Sequence, residues 1–209
     1  MVATRRERAA DTEAALKAAA LRLFDERGYL NTKITDITAA AGRAAGSFYN
    51  HFRGKQELLE ALFRDMLAES DATAAEHPAE HDLSDPAELR FHVAGFWHGF
   101  RRYRPVFVAM THAAMVDEAA AGRLRELMSP DRTAIRQHME YLRDKGIDLP
   151  GPPDAVAMAM TSMWFQFAYQ QLVTGFMGPT APLTDDEAID LLTGFTLRGL
   201  AGTVGDPAR

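Results

Sequence analysis

The chain of 209 residues contains no cysteine. Disulfide bonds, a thiol redox sensor and a cysteine-ligated zinc are therefore excluded, and a reducing compartment suits the chain. The charged N-terminus, VATRRERAAD, is followed by no continuous apolar segment of the kind that forms the core of a signal peptide. We expect a cytoplasmic protein.

The common sequence motifs of enzymes are also missing. There is no H-E-x-x-H, no G-x-S-x-G, no Walker-type glycine loop and no Rossmann fingerprint. His77 and His81 have a metal-binding spacing, but Pro78 disfavours the helix that such a pair needs. Four further histidines are dispersed: His92, His98, His112 and His138. We expect no enzyme, metal or cofactor, and a helical enzyme or carrier with a dispersed site is the alternative.

One long stretch, residues 155–184, lacks charged side chains. Its length raises the question of a membrane helix. Threonine, serine and glutamine interrupt the stretch, and acidic residues flank it where Lys or Arg would anchor a membrane span. We therefore expect no membrane partner.

Charge is unevenly distributed along the chain, whose net charge is −6. Residues 1–55 contain ten Lys and Arg against six Asp and Glu, whereas residues 56–209 contain thirteen against twenty-three. A basic N-terminal part on an acidic body is typical of a nucleic-acid reader joined to a separate domain. We predict two domains with these boundaries, 1–55 for DNA binding and 56–209 for ligand binding and dimerisation.

The segment from Thr32 to Lys55 reads TKITDITAAAGRAAGSFYNHFRGK. Its first half has helical periodicity, with Thr32 as the expected N-cap, and Gly42 supplies the positive φ that ends a helix. In the second half Phe48 and Phe52, four residues apart, share the expected buried side. Two short helices joined by a glycine turn form either a helix-turn-helix or an ordinary helical hairpin.

Two runs of sequence distinguish these alternatives. AGRAAGSFYNHFRGKQELL, from Ala41 to Leu59, and LFDERGY, from Leu23 to Tyr29, resemble the signature of the TetR family of one-component transcriptional regulators. The resemblance covers about the first sixty residues. It implies a helix-turn-helix that reads DNA, a body that senses a ligand, and dimerisation through the last two helices.

The chain departs from the pattern of that family at two positions. Arg43 follows the turn glycine where the family mostly has a small apolar residue, and Thr35 stands where a basic residue is common. Arg43 either extends to solvent along its apolar stem or reaches the DNA backbone. The sequence leaves both alternatives open.

The outer side of the second helix is small and uncharged and carries a phenol. Tyr49, His51 and Lys55 are expected to contact phosphates. Ser47, Asn50, Lys33 and Thr35 are expected at or near base edges, with Ala45 against a thymine methyl. The complete set of predicted DNA-contacting residues is Lys33, Thr35, Ala45, Gly46, Ser47, Tyr49, Asn50, His51 and Lys55.

The remainder of the chain predicts an all-α fold, with a three-helix N-terminal domain and a helical C-terminal domain. Apolar periodicity and proline or glycine breaks predict helices at 54–75, 86–102, 105–116, 123–145, 155–178 and 185–203, and a loop at 76–85.

The helix at 155–178 is apolar on two sides, so two partners must cover it. One side suits the core of its own domain, and the other suits a second copy of the chain. The predicted dimer interface consists of Phe165, Tyr169, Leu172, Phe176, Leu192 and Phe195. Dimerisation through the last two helices is also what the resemblance implies.

Large adaptable side chains are abundant in the body. Methionine and aromatic residues together can line an irregular cavity, although each can equally fill a core. The predicted effector site consists of Trp97, Phe100, Phe107, Met110, Met115, Met163, Trp164 and Phe167. Charged groups are missing from the inner face of the 155–178 helix, which favours a bulky, mostly apolar, neutral or weakly anionic ligand.

These patterns together predict a homodimeric transcriptional regulator. We expect a repressor that binds a palindromic operator in double-stranded DNA and leaves it when a small apolar effector enters the body. The alternative is a ligand-independent helix-turn-helix factor with an architectural or protein-partnered role, which would have a tightly packed body without a cavity.

Overall fold

The computed structural model describes residues 4–75, 82–175 and 183–200. Within these ranges all regular secondary structure is helical, which confirms the predicted fold class. The helices are α1 (Arg5–Arg27), α2 (Ile34–Ala40), α3 (Ala45–Phe48), α4 (Lys55–Ala75), α5 (Pro86–Arg102), α6 (Arg104–Val116), α7 (Glu118–Leu127), α8 (Ser129–Asp144), α9 (Pro153–Tyr169), a π-helical turn (Gln170–Thr174) and α10 (Asp185–Leu200). The predicted loop histidines His77 and His81, and Phe176 of the predicted dimer interface, lie outside the described residues.

The helices form two compact units. The first contains the described residues of Met1–Asp71 and Tyr103–Leu127, and the second contains those of Ala72–Arg102 and Met128–Arg209. Helices α6 and α7 therefore group with the N-terminal helices. The domain boundary after residue 55 stays a prediction.

Helix α1 is the longest element of the first unit. It begins with a capping box, in which the Thr4 hydroxyl accepts from the Glu7 amide and the Glu7 carboxylate accepts from the Thr4 amide. Its apolar side buries Leu16 and Phe24. The helix ends at Gly28, where φ is +80° and the amide donates to the Phe24 carbonyl.

Thr32 does not cap α2, and that prediction was wrong. Its buried hydroxyl donates to the Gly28 carbonyl at 2.9 Å, at the end of α1. Lys33 occupies the N-cap position instead, and the carboxylate of Asp36 at N3 accepts from the Lys33 amide at 3.0 Å. A threonine between two helices can satisfy either helix end, and periodicity does not reveal which one.

Helices α6 and α7 pack on the N-terminal helices within the first unit. Phe107 of α6 meets Phe63 of α4 edge to face, with ring centroids 6.3 Å apart. Arg123 of α7 pairs with the largely buried Glu60 of α4, with Nε and Oε1 2.6 Å apart. Apolar packing and an ion pair thus both join these helices to α4.

The second unit is built around α5 and α9. Helix α5 packs on α10 and α9, and α9 packs on α8. Rings of α5 and α9 interlock with centroids 5.4 to 6.0 Å apart, in the pairs Phe96 with Trp164, Trp97 with Phe167, and Phe100 with Phe165. Aromatic contacts therefore form the layer between these two helices.

Two predicted helices have different boundaries in the structure. The helix expected at 123–145 is two helices, α7 and α8, because Pro130 lies in the first turn of α8, where proline is tolerated. The helix expected at 155–178 leaves α-helical geometry after Tyr169, and its π-helical turn ends at Gly175, where φ is +62°.

Both tryptophans bind α10 through their indole N–H groups. Trp97 Nε1 donates to Asp185 Oδ1 at 2.9 Å, and Trp164 Nε1 donates to the Thr196 hydroxyl at 2.8 Å. The Trp97 hydrogen bond is the main cause of a lowered pKa at Asp185, and a bond from Arg101 adds to it. Helix α10 is thereby fixed to α5 at its first residue and to α9 near its end.

Because the pKa of Asp185 is lower in the folded than in the unfolded chain, its carboxylate stabilises the fold above about pH 4. This contribution is lost as the pH falls through the folded-state value. We expect Asp185→Asn to lower the free energy of unfolding by about 1 kcal/mol at pH 7, and by less at pH 3. Denaturant unfolding followed by circular dichroism measures both values, with the exposed Asp148→Asn as control. An equal loss at the two pH values would contradict the assignment.

Candidate nucleic-acid interface

The turn between α2 and α3 depends on one glycine. Gly42 has a φ of +63°, a conformation that other residues rarely adopt. The amide of Arg43 then donates to the Thr38 carbonyl at 2.9 Å, and α3 begins two residues later. The predicted glycine turn is confirmed, and it joins α2 and α3 as a helix-turn-helix.

Helix α3 has a single turn, and its inner side is held by two phenylalanines. Phe48 is fully buried and Phe52 is 4% exposed, with ring centroids 5.6 Å apart. Ile37 of α2 is also fully buried. The predicted buried side of the second helix is therefore confirmed.

The outer side of α3 and the residues after it are exposed and uncharged. Tyr49 is the largest side chain there and is 61% exposed. Ser47 is half-buried, and its hydroxyl donates to the Ala44 carbonyl at 2.6 Å. The other exposed residues of this surface are Ala45, Gly46 and Asn50.

Exposed cations lie next to this surface in the sequence. Lys33 precedes α2, Arg43 lies in the turn, and both side chains are exposed. Thr35 is exposed on the first turn of α2. The departure of Arg43 from the family pattern thus adds a positive charge to the surface that surrounds α3.

Lys55 has a structural role at the start of α4. Its ammonium donates to the carbonyls of Tyr29 at 2.5 Å and Thr32 at 2.7 Å, and it lies 4.3 Å from the centroid of the Tyr29 ring. Burial lowers the pKa of Lys55. These bonds tie α4 to the connection between α1 and α2, and a phosphate contact at Lys55 has to compete with them.

His51 is largely buried, with a side chain that is 13% exposed. Its Nδ1 lies 3.8 Å from Oε2 of Glu13 on α1. Sequence reasoning assigned His51 to phosphate from its position after α3 and missed Glu13 together with Lys17. The spacing of four residues between Glu13 and Lys17 was the available signal for an ion pair on one helix face.

We expect Lys55→Ala to destabilise the first unit by about 2 kcal/mol, because two carbonyls lose a charged donor. Arg43→Ala is the matched control. It should leave stability unchanged and reduce the salt dependence of DNA binding by about one unit of slope. Thermal unfolding and DNA titrations at several salt concentrations measure both effects. Unchanged stability in Lys55→Ala would contradict the structural role of this lysine.

The residues predicted to line an effector site fall into two groups. Phe107, Met110 and Met115 lie on α6 in the first unit, and Met115 is 77% exposed. The others lie in the second unit, on α5 and α9: Trp97, Phe100, Met163, Trp164 and Phe167. A cavity inside one unit can therefore use only one of the two groups.

The residues predicted for the dimer interface also differ in exposure. Phe195 is 62% exposed, whereas Leu192 is 2% exposed and packs inside its own unit. Leu192 is therefore corrected to a core residue, because α10 turns that side towards its own chain. Phe165 packs on Phe100 of α5. Two further members, Tyr169 and Leu172, are half-buried.

Other kinds of site find no support in the described ranges. No three His, Asp or Glu side chains there converge on a point that could hold a metal ion. None of the helices described is both long enough and apolar enough to cross a membrane.

The described residues form a helical fold with a helix-turn-helix in its first unit. Residues 16–62 match the family model of bacterial regulatory proteins, tetR family. The chain thus carries the tetR-family N-terminal domain, and the resemblance seen in its sequence is confirmed.

Relatives agree over the same region. The chain is 38% identical over 86 residues to the HTH-type transcriptional regulator TtgR of Pseudomonas putida, covering 41% of this chain and 40% of that protein. It is 38% identical over 95 residues to the HTH-type transcriptional regulator CymR, also of Pseudomonas putida, covering 41% and 47%. The matched segment spans less than half of the length of either relative.

Solved structures extend the likeness in fold to most of the chain. A putative TetR-family regulator from Syntrophomonas wolfei has a TM-score of 0.76 at 21% identity, covering 94% of this chain and 98% of that one. The fatty acid degradation regulator FadR from Bacillus halodurans has a TM-score of 0.73 at 15% identity, covering 93% and 96%. The fold is that of TetR-family regulators.

Proposed function

We propose that this chain is a transcriptional repressor that binds a palindromic operator as a homodimer and is released by a small, mostly apolar ligand. The observation that carries the proposal is the exposed, uncharged outer side of α3, held by the buried pair Phe48 and Phe52. A helix presented in this way fits a DNA major groove.

The chemistry of the surface indicates how DNA would be read. Tyr49 and the exposed cation Arg43 suit phosphate oxygens, which fix register without reading sequence. Lys33 stays a candidate for a contact at or near a base edge. Asn50 carries an amide that can pair with adenine, and the Ala45 methyl suits a thymine methyl. Long donors are scarce on this surface, so direct readout is modest and each base contact contributes a large share of it.

Selection of duplexes from a random-sequence library tests this function. We expect the wild type to enrich a palindrome with half-sites about one helical turn, 34–36 Å, apart. Asn50→Ala should lower discrimination at one position per half-site by about tenfold, and Gln137→Ala on α8 should leave the selected sequence unchanged. The absence of any enriched sequence would refute the proposed function.

The dimer interface is proposed on the outer side of α9 and α10. Three large apolar side chains are exposed there: Met158 is 66%, Leu191 is 44% and Phe195 is 62% exposed. Apolar side chains exposed at neighbouring positions mark interaction surfaces. With Leu192 assigned to the core, Leu191 and Phe195 supply the α10 part of the interface.

We expect Phe195→Arg to yield monomers, because the interface would bury an unpaired charge. Sedimentation velocity measures the oligomeric state. Gln137→Arg adds the same charge to the exposed side of α8 and should leave the dimer intact. A dimeric Phe195→Arg variant would place the interface elsewhere.

The effector site is proposed in the second unit, at the aromatic layer between α5 and α9. The rings of Trp97, Phe100, Trp164 and Phe167 supply apolar surface there, and Met163 adds an adaptable side chain. The half-buried Gln170 provides a polar group at the end of α9. Because both indole N–H groups are already bonded to α10, a ligand that separates these rings would also act on α10. That coupling supports release of DNA by population shift.

A further inference from the structure

A chain of charged side chains connects α4 to the residue that follows α3. Oδ2 of Asp65 on α4 lies 2.9 Å from Nζ of Lys17 on α1, and the same Nζ lies 2.9 Å from Oε1 of Glu13. The other carboxylate oxygen of Glu13, Oε2, lies 3.8 Å from Nδ1 of His51. All four residues belong to the first unit. We call them the Asp65–His51 chain.

Lys17 holds Glu13 in the ionised form and in one orientation. Its side chain is only 18% exposed between the two carboxylates. Burial opposes the charge of Lys17, but hydrogen bonds to Glu13 and Asp65 outweigh it and raise the pKa of Lys17. The hydrogen bond from Lys17 is also the main cause of a lowered pKa at Glu13. Oε1 of Glu13 is thus paired with Lys17, and Oε2 lies beside His51.

His51 lies where the end of α3 meets α1. The His51 amide donates to the Phe48 carbonyl at 3.0 Å, so the residue continues directly from the single turn of α3. Its imidazole lies against Glu13 and is mostly shielded from water. A bond between His51 and Glu13 would therefore fix the C-terminal end of α3 on α1.

We propose that Glu13 is a positioning residue for DNA binding. It holds protonated His51 and thereby fixes α3 in the orientation that enters the groove, which we call the seated state. The inference rests on the proposed function. It adds a property that the function does not require, namely that DNA binding takes up a proton.

Charged side chains of α1 and α4 surround the imidazole of His51. An imidazole is the side chain that changes charge between about pH 5 and 8. The charged groups around it are Glu13 and Lys17 of α1, and Glu57, Arg64 and Asp65 of α4. Glu57 pairs with Arg53, and Arg64 lies 3.8 Å from Glu60, so Glu13 is the carboxylate that lies beside the imidazole. A charge-assisted contact to Glu13 is stronger than one from a neutral ring.

Proton uptake then raises DNA affinity by linkage. If α3 is seated when His51 is protonated, and only the seated state binds DNA, a lower pH increases the population that binds. For an ion pair at a partly exposed site we expect affinity to rise about threefold from pH 8 to pH 6.

The experiment measures the affinity for the duplex selected by the wild type, at pH 6 and pH 8 and constant ionic strength. The wild type should bind about threefold tighter at pH 6. Glu13→Gln and His51→Gln should bind with equal affinity at both pH values. Glu26→Gln removes the same charge from an exposed site on α1 and should keep the pH dependence of the wild type. Circular dichroism at both pH values verifies that each variant is folded.

Three outcomes would overturn the inference. A wild type without pH dependence would show that seating α3 requires no proton. A pH dependence that persists in Glu13→Gln but is lost in His51→Gln would place the proton on a contact between His51 and DNA phosphate. A pH dependence that persists in His51→Gln would assign the proton to another group. Failure of the wild type to select any duplex would instead refute the proposed function, and this inference with it.

Discussion

A helix of one turn cannot hold its orientation by its own hydrogen bonds, and α3 is such a helix. Its direction depends on the burial of Phe48 and Phe52 beneath it. Full burial of a phenylalanine is worth about 1.5–3 kcal/mol, whereas a partly exposed ion pair contributes about 1 kcal/mol or less. The phenylalanines therefore place α3 on the unit, and the contact between His51 and Glu13 can only adjust it.

The grouping of α6 and α7 with the N-terminal helices changes how the chain is organised. The chain passes between the two units three times, after Asp71, Arg102 and Leu127. A single linker would let the units respond independently. With three passages, the end of α5 and the start of α8 are joined covalently to helices of the first unit. Within that unit Arg123 forms an ion pair with α4, and Phe107 packs on α4.

Features that depend on local sequence could be predicted, and features that depend on the path of the chain could not. Gly42 and the pair Phe48 and Phe52 are fixed by turn geometry and helical spacing, and the structure has them as expected. The carbonyl partners of Lys55 lie 23 and 26 residues away in the sequence. No periodicity reveals such a contact. The assignment of Leu192 to the dimer interface was wrong for a related reason. When a helix is apolar on two sides, tertiary packing decides which side is exposed, and periodicity does not show it.

The positions of the two tryptophans have a spectroscopic consequence. Trp97 and Trp164 are the only tryptophans of the chain, both lie in the second unit, and both donate their indole N–H to α10. Tyr29, Tyr49 and Tyr103 lie in the first unit. Tryptophan emission thus reports the state of α10 and its neighbours, while the first unit emits only through tyrosine. Tryptophan emission is therefore specific to the second unit, whereas tyrosine emission comes from both units, because Tyr141 and Tyr169 lie in the second.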